Sequence, residues 1–323
     1  MSVKEQTLAV LEEQKGDYIS GAELAEKLSV SRNAVWKAIQ VLKEEGYEIA
    51  SVKNKGYSLS METDILSEQS IKKYITKYED VFDLEVRKTL TSTNRIAKEA
   101  GASGEKEGKV IIAEEQTEGR GRLGRKFFSP SGSGIYLSLL LRPQMEVSEA
   151  LLVTTAAAVA VAEAIEFVSG RKAEIKWVND VYCDNKKVCG VLTEASLGLE
   201  NGGVEYIVLG IGINVKQPQG GFPDEIKDIA TSVYKEADAD VRSRLIAEVL
   251  ERFWAYYQHI HEKTFLQEYK RRSLLIGREI QVLSGEQSEK AVALEINDSC
   301  QLKVRMEDGT IRILSSGEVS IKL

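Results

Sequence analysis

The N-terminal part of the chain alternates helical patterns with turn residues. Apolar positions three and four apart predict three helices, at residues 3–13, 21–28 and 31–45. Ser31 is placed to cap the third helix, and Trp36 is expected to pack beside its core face. That core face is predicted to hold Val35, Ala38, Ile39 and Leu42. Two strands, at residues 48–52 and 57–59, follow around the turn Asn54-Lys55-Gly56, so the pattern predicts a helix-turn-helix with a β-wing.

A mixture of strand and helix patterns occupies the centre of the chain, and short strands follow it. Central strands are predicted at residues 84–89, 110–114, 135–141, 173–177, 187–194 and 205–213, and helices at 94–100, 148–168 and 241–260. The short strands are predicted at residues 279–283, 291–296, 302–306 and 311–314. The fold class is therefore α+β multidomain: a winged helix-turn-helix (residues 1–62), a mixed-sheet α/β domain (63–273) and a small β-barrel (274–323).

The longest apolar stretch, residues 150–168, is rich in alanine and interrupted by Thr154, Thr155, Glu163 and Glu166. Alanine permits close helix packing, and charged residues are costly inside a bilayer. We therefore expect a buried core helix, capped by Ser148, and no membrane span.

Composition excludes several classes of protein. A formal net charge of −7 argues against general binding of polyanions, so any contact with nucleic acid needs a local basic surface. The three cysteines are widely spaced and form no CxxC pair, which favours a reducing, cytoplasmic environment over a disulfide framework or a zinc site. The two histidines, His259 and His261, give little support to a histidine metal site or a Ser–His–Asp mechanism. The N-terminus lacks an apolar signal-peptide pattern, and none is expected.

The third helix and the wing are locally basic although the chain is acidic. No acidic residue lies between Ser29 and Lys43, and the wing adds Lys53 and Lys55. DNA phosphates need such a surface, and the start of a recognition helix reaches base edges in the major groove. The residues predicted to contact DNA are Ser31, Arg32, Asn33, Lys37, Lys53 and Lys55. A three-helix domain for protein contacts is the alternative.

Residues 119–126, Gly-Arg-Gly-Arg-Leu-Gly-Arg-Lys, combine four cations with three glycines. Glycine lets backbone N–H groups approach a ligand, and arginine matches carboxylate and phosphate oxygens two at a time. We interpret this segment as an anion clamp. A solvated basic loop is the alternative.

The clamp does not fit the common nucleotide motifs. Its glycine spacing matches the dinucleotide fingerprint, but Phe127-Phe128-Ser129-Pro130 follows where a long helix should begin. A Walker A loop needs Lys and then Ser or Thr after its last glycine, and Arg125-Lys126 stand there. A kinase glycine-rich loop expects valine at the position of Lys126.

Three further clusters carry polar or small residues: Thr91-Ser92-Thr93-Asn94, Lys176-Trp177-Val178-Asn179-Asp180 with Lys187 and Gly190, and Gly210-Ile211-Gly212-Ile213-Asn214. The first cluster fits either a helix cap or a neutral polar ligand. The glycines of the third permit close approach of a ligand to a strand.

Together these motifs, S-T-N, E-x-Q-x-x-G-R-G-R-x-G-R-K, K-W-x-N-D, K-x-x-G and G-I-G-I-N, resemble the biotin–protein ligases. With the winged helix in front, the chain is similar to the bifunctional bacterial form, which is both a biotin ligase and a biotin operon repressor. The resemblance covers essentially the whole chain. The sequence departs from the family pattern at Phe127, where tryptophan is common, and at Val178, where proline is frequent.

The resemblance implies an ATP-dependent reaction in which biotin and ATP form biotinyl-5′-AMP, which then biotinylates a lysine of the biotin carboxyl carrier domain of acetyl-CoA carboxylase or a related carboxylase. Bringing two anions together requires cationic charge, which Arg120, Arg122 and Lys187 can supply, and Asp180 is the candidate for assisting deprotonation of the incoming lysine; these four residues form the predicted catalytic group. The resemblance implies biotin contacts from Ser92, Thr93, Asn94, Gln116, Arg120, Gly121, Arg122 and Lys187. It implies ATP contacts from Arg120, Arg122, Arg125, Phe127, Asn179 and Asn214, with Mg²⁺ assisting and no protein metal site.

The resemblance further implies an SH3-like form for the C-terminal β-barrel. It also implies an adenylate-bound homodimer that binds operator DNA. A biotin-sensing repressor without ligase activity and a lipoate–protein ligase relative remain as alternatives.

Overall fold

The structure is a computed structural model that describes residues 1–197, 203–236, 238–284, 287–315 and 318–320. The chain divides into two compact units. The first comprises Met1–Glu79 and Ala237–Ala247, and the second comprises Asp80–Glu236 and Glu248–Leu323.

The first unit begins with the predicted winged helix-turn-helix. Its elements are α1 (Val3–Glu13), α2 (Gly21–Lys27), α3 (Arg32–Glu44), β1 (Ile49–Val52) and β2 (Gly56–Leu59). Ser31 caps α3 as predicted, because its hydroxyl oxygen accepts a hydrogen bond from the Ala34 N–H at 3.1 Å. The strands β1 and β2 pair in antiparallel fashion around the predicted turn.

The core of the winged helix contains the predicted stripe of α3. Val35, Ile39 and Leu42 are completely buried and Ala38 is 6% exposed. The expectation for Trp36 is wrong, because its side chain is 51% exposed. Position 36 follows the buried Val35 by one residue, so it lies at the edge of the solvent face of α3.

A buried group of charges joins separate parts of the first unit. After α4 (Glu68–Lys72), Lys73 contacts Asp240 and Glu12, both at 2.8 Å, and Lys15 contacts Asp240 at 2.6 Å. Burial acts to raise the pKa of Asp240, but the hydrogen bonds from Lys15 and Lys73 outweigh it and hold that pKa below its ordinary value. The short helix α4 was not predicted from the sequence.

The second unit contains a seven-stranded mixed sheet. Its strands are β3 (Asp83–Leu90), β4 (Lys109–Gln116), β5 (Gly134–Leu141), β6 (Glu174–Lys176), β7 (Asp180–Cys183), β8 (Lys186–Leu197) and β9 (Val204–Asn214). The order is β3-β4-β5-β9-β8-β7-β6, with β3 and β4 parallel and the other pairs antiparallel. The predicted mixed sheet is confirmed, and β7 is an additional strand.

Four further helices are α5 (Thr93–Ala102), α6 (Ala150–Ser169), α7 (Val241–Tyr257) and α8 (Leu266–Arg271). The helices α5 and α6 join strands of the sheet and pack against it, α8 packs against α6 and was not predicted, and the first residues of α7 belong to the first unit. The segment Val147–Ser169 is apolar and long enough to cross a membrane, but 72% of its apolar window is buried within the protein. This agrees with the predicted core helix. The predicted Ser148 cap is wrong, because Ser148 lies in a 3₁₀ turn and the residue before α6 is Glu149, which makes no side-chain cap.

The C-terminal part of the second unit is a five-stranded antiparallel sheet. Its strands are β10 (Glu279–Ser284), β11 (Gln287–Ile296), β12 (Leu302–Met306), β13 (Ile311–Leu314) and β14 (Glu318–Ser320). Their order is β13-β12-β11-β10-β14. This confirms a small all-β domain.

Candidate functional site

The clamp connects β4 to β5, and two backbone hydrogen bonds hold its two ends together. The Gly121 N–H donates to the Arg125 carbonyl at 2.7 Å, and the Phe127 N–H donates to the Gly119 carbonyl at 2.9 Å. Between these bonds Leu123 (φ 55°) and Gly124 (φ 74°) adopt left-handed backbone conformations. Such a tight reversal exposes the tip, where the Leu123 side chain is 76% exposed.

Two adjoining pockets open beside the clamp, and they share four residues: Arg120, Phe127, Gly190 and Leu192. The larger pocket is cationic, and the predicted residues that line it are Arg120, Gly121, Arg122, Arg125, Phe127, Asn179, Asp180, Lys187 and Asn214. The smaller pocket contains the other predicted residues: Ser92, Thr93, Asn94 and Gln116. The structure therefore brings every predicted residue of the catalytic, biotin and ATP groups to one of two connected pockets.

The smaller pocket forms where β3 and β4 end side by side. Leu90 pairs with Gln116 in the parallel register, and α5 begins just after β3. This places the start of α5 against the end of β4, so the Thr93 N–H donates to the Gln116 amide oxygen at 2.8 Å. Ser92, Thr93 and Asn94 are each at most 5% exposed. Since Ser92 makes no side-chain cap bond to its helix, the capping alternative is not borne out for this residue.

Two residues that the sequence did not suggest lie behind the smaller pocket, where they contact Asn94 without lining the pocket. Ser138 lies on β5, and its hydroxyl contacts the Asn94 amide oxygen at 2.6 Å. Glu194 lies on β8, and its carboxylate accepts from the Asn94 amide nitrogen at 2.8 Å. Burial acts to raise the pKa of Glu194, but hydrogen bonds from Asn94 and Lys98 hold it below its ordinary value. No local motif marks these residues, because they reach Asn94 only through the sheet.

Glycines make room for the side chains that line the pockets. A Cβ on Gly210 would lie 2.0 Å from the Asn94 amide oxygen, and one on Gly212 would lie 2.5 Å from the Phe127 ring. Those distances are far below van der Waals contact. The Phe127 ring also packs edge-on against Tyr136, with 6.4 Å between the ring centroids. The glycines at positions 210 and 212 of β9 thus leave the space that Asn94 and Phe127 occupy.

In the larger pocket, contacts with neighbouring side chains hold the cationic groups of Lys187 and Arg122 in position. Lys187 Nζ lies 2.7 Å from Asp180 Oδ1, and Arg122 Nη1 donates to Asn179 Oδ1 at 3.0 Å. Asn179 is anchored in turn, because its Nδ2 donates to the Val191 carbonyl at 2.7 Å. An anion entering this pocket meets side chains already held in place.

Apolar residues that the sequence analysis missed also line the larger pocket: Leu123, Phe128, Val191, Leu192, Ile226, Ile229 and Ala230. Several come from the segment after β9, whose backbone pairs with Lys187 at Ile229 and Thr231. This segment has little periodic pattern, so its sequence gave no indication of a role.

The predicted DNA-contacting residues lie on exposed parts of the first unit. Ser31, Arg32, Asn33 and Lys37 are exposed on the first turns of α3. Lys53 and Lys55 are exposed at the tip of the wing, where the Lys55 ammonium lies 5.6 Å from the centre of the Tyr18 ring. Trp36 joins the same exposed face of the helix.

No group of three or more His, Cys, Asp or Glu side chains that could hold a metal ion occurs among the residues that the structure describes. The carboxylate in the larger pocket, Asp180, is already paired with Lys187.

Comparisons with known proteins match all three parts of the chain. Residues 3–58 match a helix-turn-helix domain, residues 86–214 match the biotin/lipoate A/B protein ligase family, and residues 275–322 match the biotin protein ligase C-terminal domain. The chain is 35% identical to the bifunctional ligase/repressor BirA of Bacillus subtilis over 307 residues, covering 93% of each protein. It is 28% identical to the Escherichia coli protein of the same name over 312 residues, covering 95% of this chain and 94% of that one.

A solved structure agrees with these sequence matches. The biotin protein ligase from Aquifex aeolicus in complex with biotin and ATP superposes with a TM-score of 0.61 at 33% identity. The match covers 74% of this chain and 97% of that one.

Proposed function

The chain belongs to the family of bifunctional biotin protein ligase/repressors, and from this premise we propose how its pockets divide the work. It joins biotin and ATP to biotinyl-5′-AMP and transfers the biotinyl group to a lysine of a biotin carboxyl carrier domain. The observation that carries the proposal is the pair of pockets that share Arg120 and Phe127: the uncharged polar side chains Ser92, Thr93, Asn94 and Gln116 line one, and the other is rich in cations. A molecule with a neutral polar head and an anionic tail would span them.

Biotin is such a molecule. Its ureido ring fits the smaller pocket, where Ser92, Thr93, Asn94 and Gln116 supply donors and acceptors. Its carboxylate then extends toward Arg120, Gly121, Arg122 and Lys187 in the larger pocket. The shared Arg120 lies at the boundary between ring and tail.

ATP occupies the larger pocket. Its phosphates are held by Arg120, Arg122 and Arg125, while Asn179 and Asn214 supply polar contacts. Phe127 stacks on the adenine, and the apolar residues of the segment after β9 cover the base.

Biotin's carboxylate attacks the α-phosphorus of ATP, the bond to pyrophosphate breaks, and biotinyl-5′-AMP forms. Two anions must come together in this step, and Arg120, Arg122 and Lys187 neutralise their repulsion. An acceptor amine then attacks the biotinyl carbonyl carbon, AMP leaves, and Asp180 helps to remove the proton from the amine. Transfer that is unaffected in Asp180→Asn would exclude that last role.

Mg²⁺ is implied by the family for the first step. Asp180 is the carboxylate that lines the larger pocket, and it is paired with Lys187, so the ion would take most of its ligands from phosphates and water, as Mg²⁺ commonly does.

The winged helix gives the protein its second activity. Arg32 and Asn33 reach base edges in the major groove, and Lys37, Lys53 and Lys55 contact phosphates. Ser31, the N-cap of the helix that enters the groove, contacts the phosphate backbone. Bound adenylate favours a homodimer, which presents a pair of winged helices to a palindromic operator.

The strands β10 to β14 form an SH3-like barrel in the C-terminal domain, residues 274–323, and residues 1–62 and 63–273 act as the DNA-binding and catalytic domains. The protein works in the cytoplasm.

A transfer assay tests the proposed function. Purified protein is incubated with ATP, a carboxyl carrier domain and radiolabelled biotin or radiolabelled lipoate. We expect ATP-dependent label on the carrier with biotin only. Label from lipoate would favour the lipoate ligase relative, and operator binding without any label would favour a repressor without ligase activity.

Clamp closure is tested separately by hydrogen exchange. A mixed anhydride hydrolyses easily, so the clamp should close over the adenylate and exclude water. Amides of residues 119–126 are expected to gain protection when adenylate is bound. Equal protection with and without ligand would contradict closure.

A further inference from the structure

Glu194 lies at one end of a chain of hydrogen bonds beneath the smaller pocket. Its carboxylate contacts the Asn94 amide nitrogen at 2.8 Å, and the Asn94 amide oxygen contacts the Ser138 hydroxyl at 2.6 Å. The Ser138 hydroxyl also lies 2.8 Å from the Thr93 hydroxyl. Ser138 is completely buried, and Thr93 and Asn94 are nearly so, which means that water cannot easily replace these bonds.

The donors and acceptors of Glu194, Asn94, Ser138 and Thr93 allow only one direction for this chain of hydrogen bonds. An ionised carboxylate only accepts hydrogen bonds, so Asn94 must turn its NH₂ group to Glu194 and its oxygen to Ser138. That oxygen has no proton, so Ser138 must donate to it. Ser138 has then used its single proton, and the contact with Thr93 requires the Thr93 hydroxyl to donate to Ser138.

The opposite side of Thr93 is consistent with this direction. The Gln116 amide oxygen receives the Thr93 backbone N–H at 2.8 Å, whereas the Thr93 hydroxyl lies farther away, at 3.1 Å. Gln116 thus competes for the Thr93 hydroxyl proton at 3.1 Å, but it already accepts the backbone N–H, and the Ser138 oxygen is closer, at 2.8 Å. With either acceptor the Thr93 proton is used within the protein, and the Thr93 oxygen keeps a lone pair for the pocket.

We infer that Glu194 is a positioning residue for biotin. It sets the direction of the hydrogen bonds through Asn94 and Ser138, and the Thr93 oxygen is then able to accept a hydrogen bond from a ureido N–H. Lys98 holds Glu194 in place, because its ammonium pairs with the other carboxylate oxygen. The inference rests on the proposed biotin subsite. Without Glu194 the Asn94 amide can turn over, the chain reverses, and the Thr93 proton meets the ureido N–H.

The test is a double-mutant cycle on the full chain, with the dissociation constant for biotin measured by calorimetry. Glu194→Met removes the acceptor while keeping a side chain of similar length, and Thr93→Val removes the hydroxyl. We expect Glu194→Met to raise the Kd for biotin about tenfold in the natural chain and less than about twofold in the Thr93→Val chain. Glu194→Gln should stay within about threefold, since its amide oxygen can still accept from Asn94.

Outcomes separate this inference from the proposed function. An unchanged Kd in Glu194→Met, or an equal rise with and without Thr93→Val, would overturn the inference but not the biotin site. Failure of the natural chain to bind biotin would overturn both. Thermal unfolding checks that each variant is folded. If Glu194→Met does not fold, Ser138→Ala replaces it, because this substitution removes the hydroxyl in the middle of the hydrogen-bond chain. The same tenfold rise is then expected, and no rise would count against the inference.

Discussion

Replacing Lys187 with alanine removes an ammonium group that the fold holds ready for an anion. The Lys187 N–H donates to the Ile229 carbonyl and its carbonyl accepts from the Thr231 N–H, both at 2.9 Å. Its Nζ lies 2.7 Å from Asp180 Oδ1, and the side chain is 30% exposed. The ammonium is therefore positioned before the ligands arrive, so little reorganisation is needed when charge develops.

The expected loss follows from that preorganisation. Removing one fixed electrostatic group from an active site typically reduces kcat by about 10²–10³, or about 2.7–4 kcal/mol. The variant also leaves the Asp180 carboxylate unpaired beside the reacting anions, which adds repulsion. We therefore expect adenylate formation to fall toward the upper end of that range, and Lys187→Ala combined with Asp180→Asn to recover part of the loss.

The pre-steady-state burst of pyrophosphate, measured with biotin and ATP in excess and no carrier domain, reports this step without the transfer reaction. Lys186→Ala is the matched control, because it removes a neighbouring lysine that contacts the Lys227 carbonyl at 3.4 Å and does not line either pocket. A near-normal burst from Lys187→Ala would refute the reasoning. An equal loss in Lys186→Ala would also refute it, because the effect would then not depend on position.

Three further predictions concern other parts of the molecule. Gly212→Ala should raise the KM for ATP about tenfold, because its Cβ would lie 2.5 Å from the Phe127 ring; Gly203→Ala, where the nearest atom is 3.9 Å away, should change nothing in the same assay. Asp240→Asn should destabilise the first unit by about 3 kcal/mol in urea unfolding at pH 7, because it leaves the buried Lys15 with no carboxylate partner and Lys73 with Glu12 alone. Since the pKa of Asp240 is lowered, its stabilisation should be present above the ordinary value of about 3.9 and be lost as pH falls through the folded-state value, and the variant should lack that dependence. Lys53→Ala should reduce the slope of log affinity for DNA against log salt by about 0.9, and an unchanged slope would remove this residue from the phosphate contacts.

The winged helix was predictable because its signals are local. Apolar positions at helical spacing and Ser31 before α3 mark both the helix and its cap, and the structure has both. Trp36 was misjudged because composition cannot tell whether a large aromatic at the edge of an apolar stripe faces the core or the solvent. The Ser148 cap failed for a related reason, since a 3₁₀ turn precedes α6 and shifts where the helix begins.

The site residues that belong to local sequence motifs were predictable, and those that come together only through strand pairing were not. Glycines and arginines in the clamp, and Lys187, were found from residue type and spacing. Glu194 and Ser138 were missed because they become neighbours of Asn94 only through strand pairing, across 100 and 44 positions of sequence. Strand β7 was missed because it is only four residues long, too short to show a reliable alternation.

A crystal structure of the chain with biotin and a non-hydrolysable ATP analogue tests the central claim most directly. We predict the ureido ring between Thr93 and Asn94, and the carboxylate and α-phosphate together against Arg120, Arg122 and Lys187. Density for either ligand outside the two pockets beside the clamp would contradict the account.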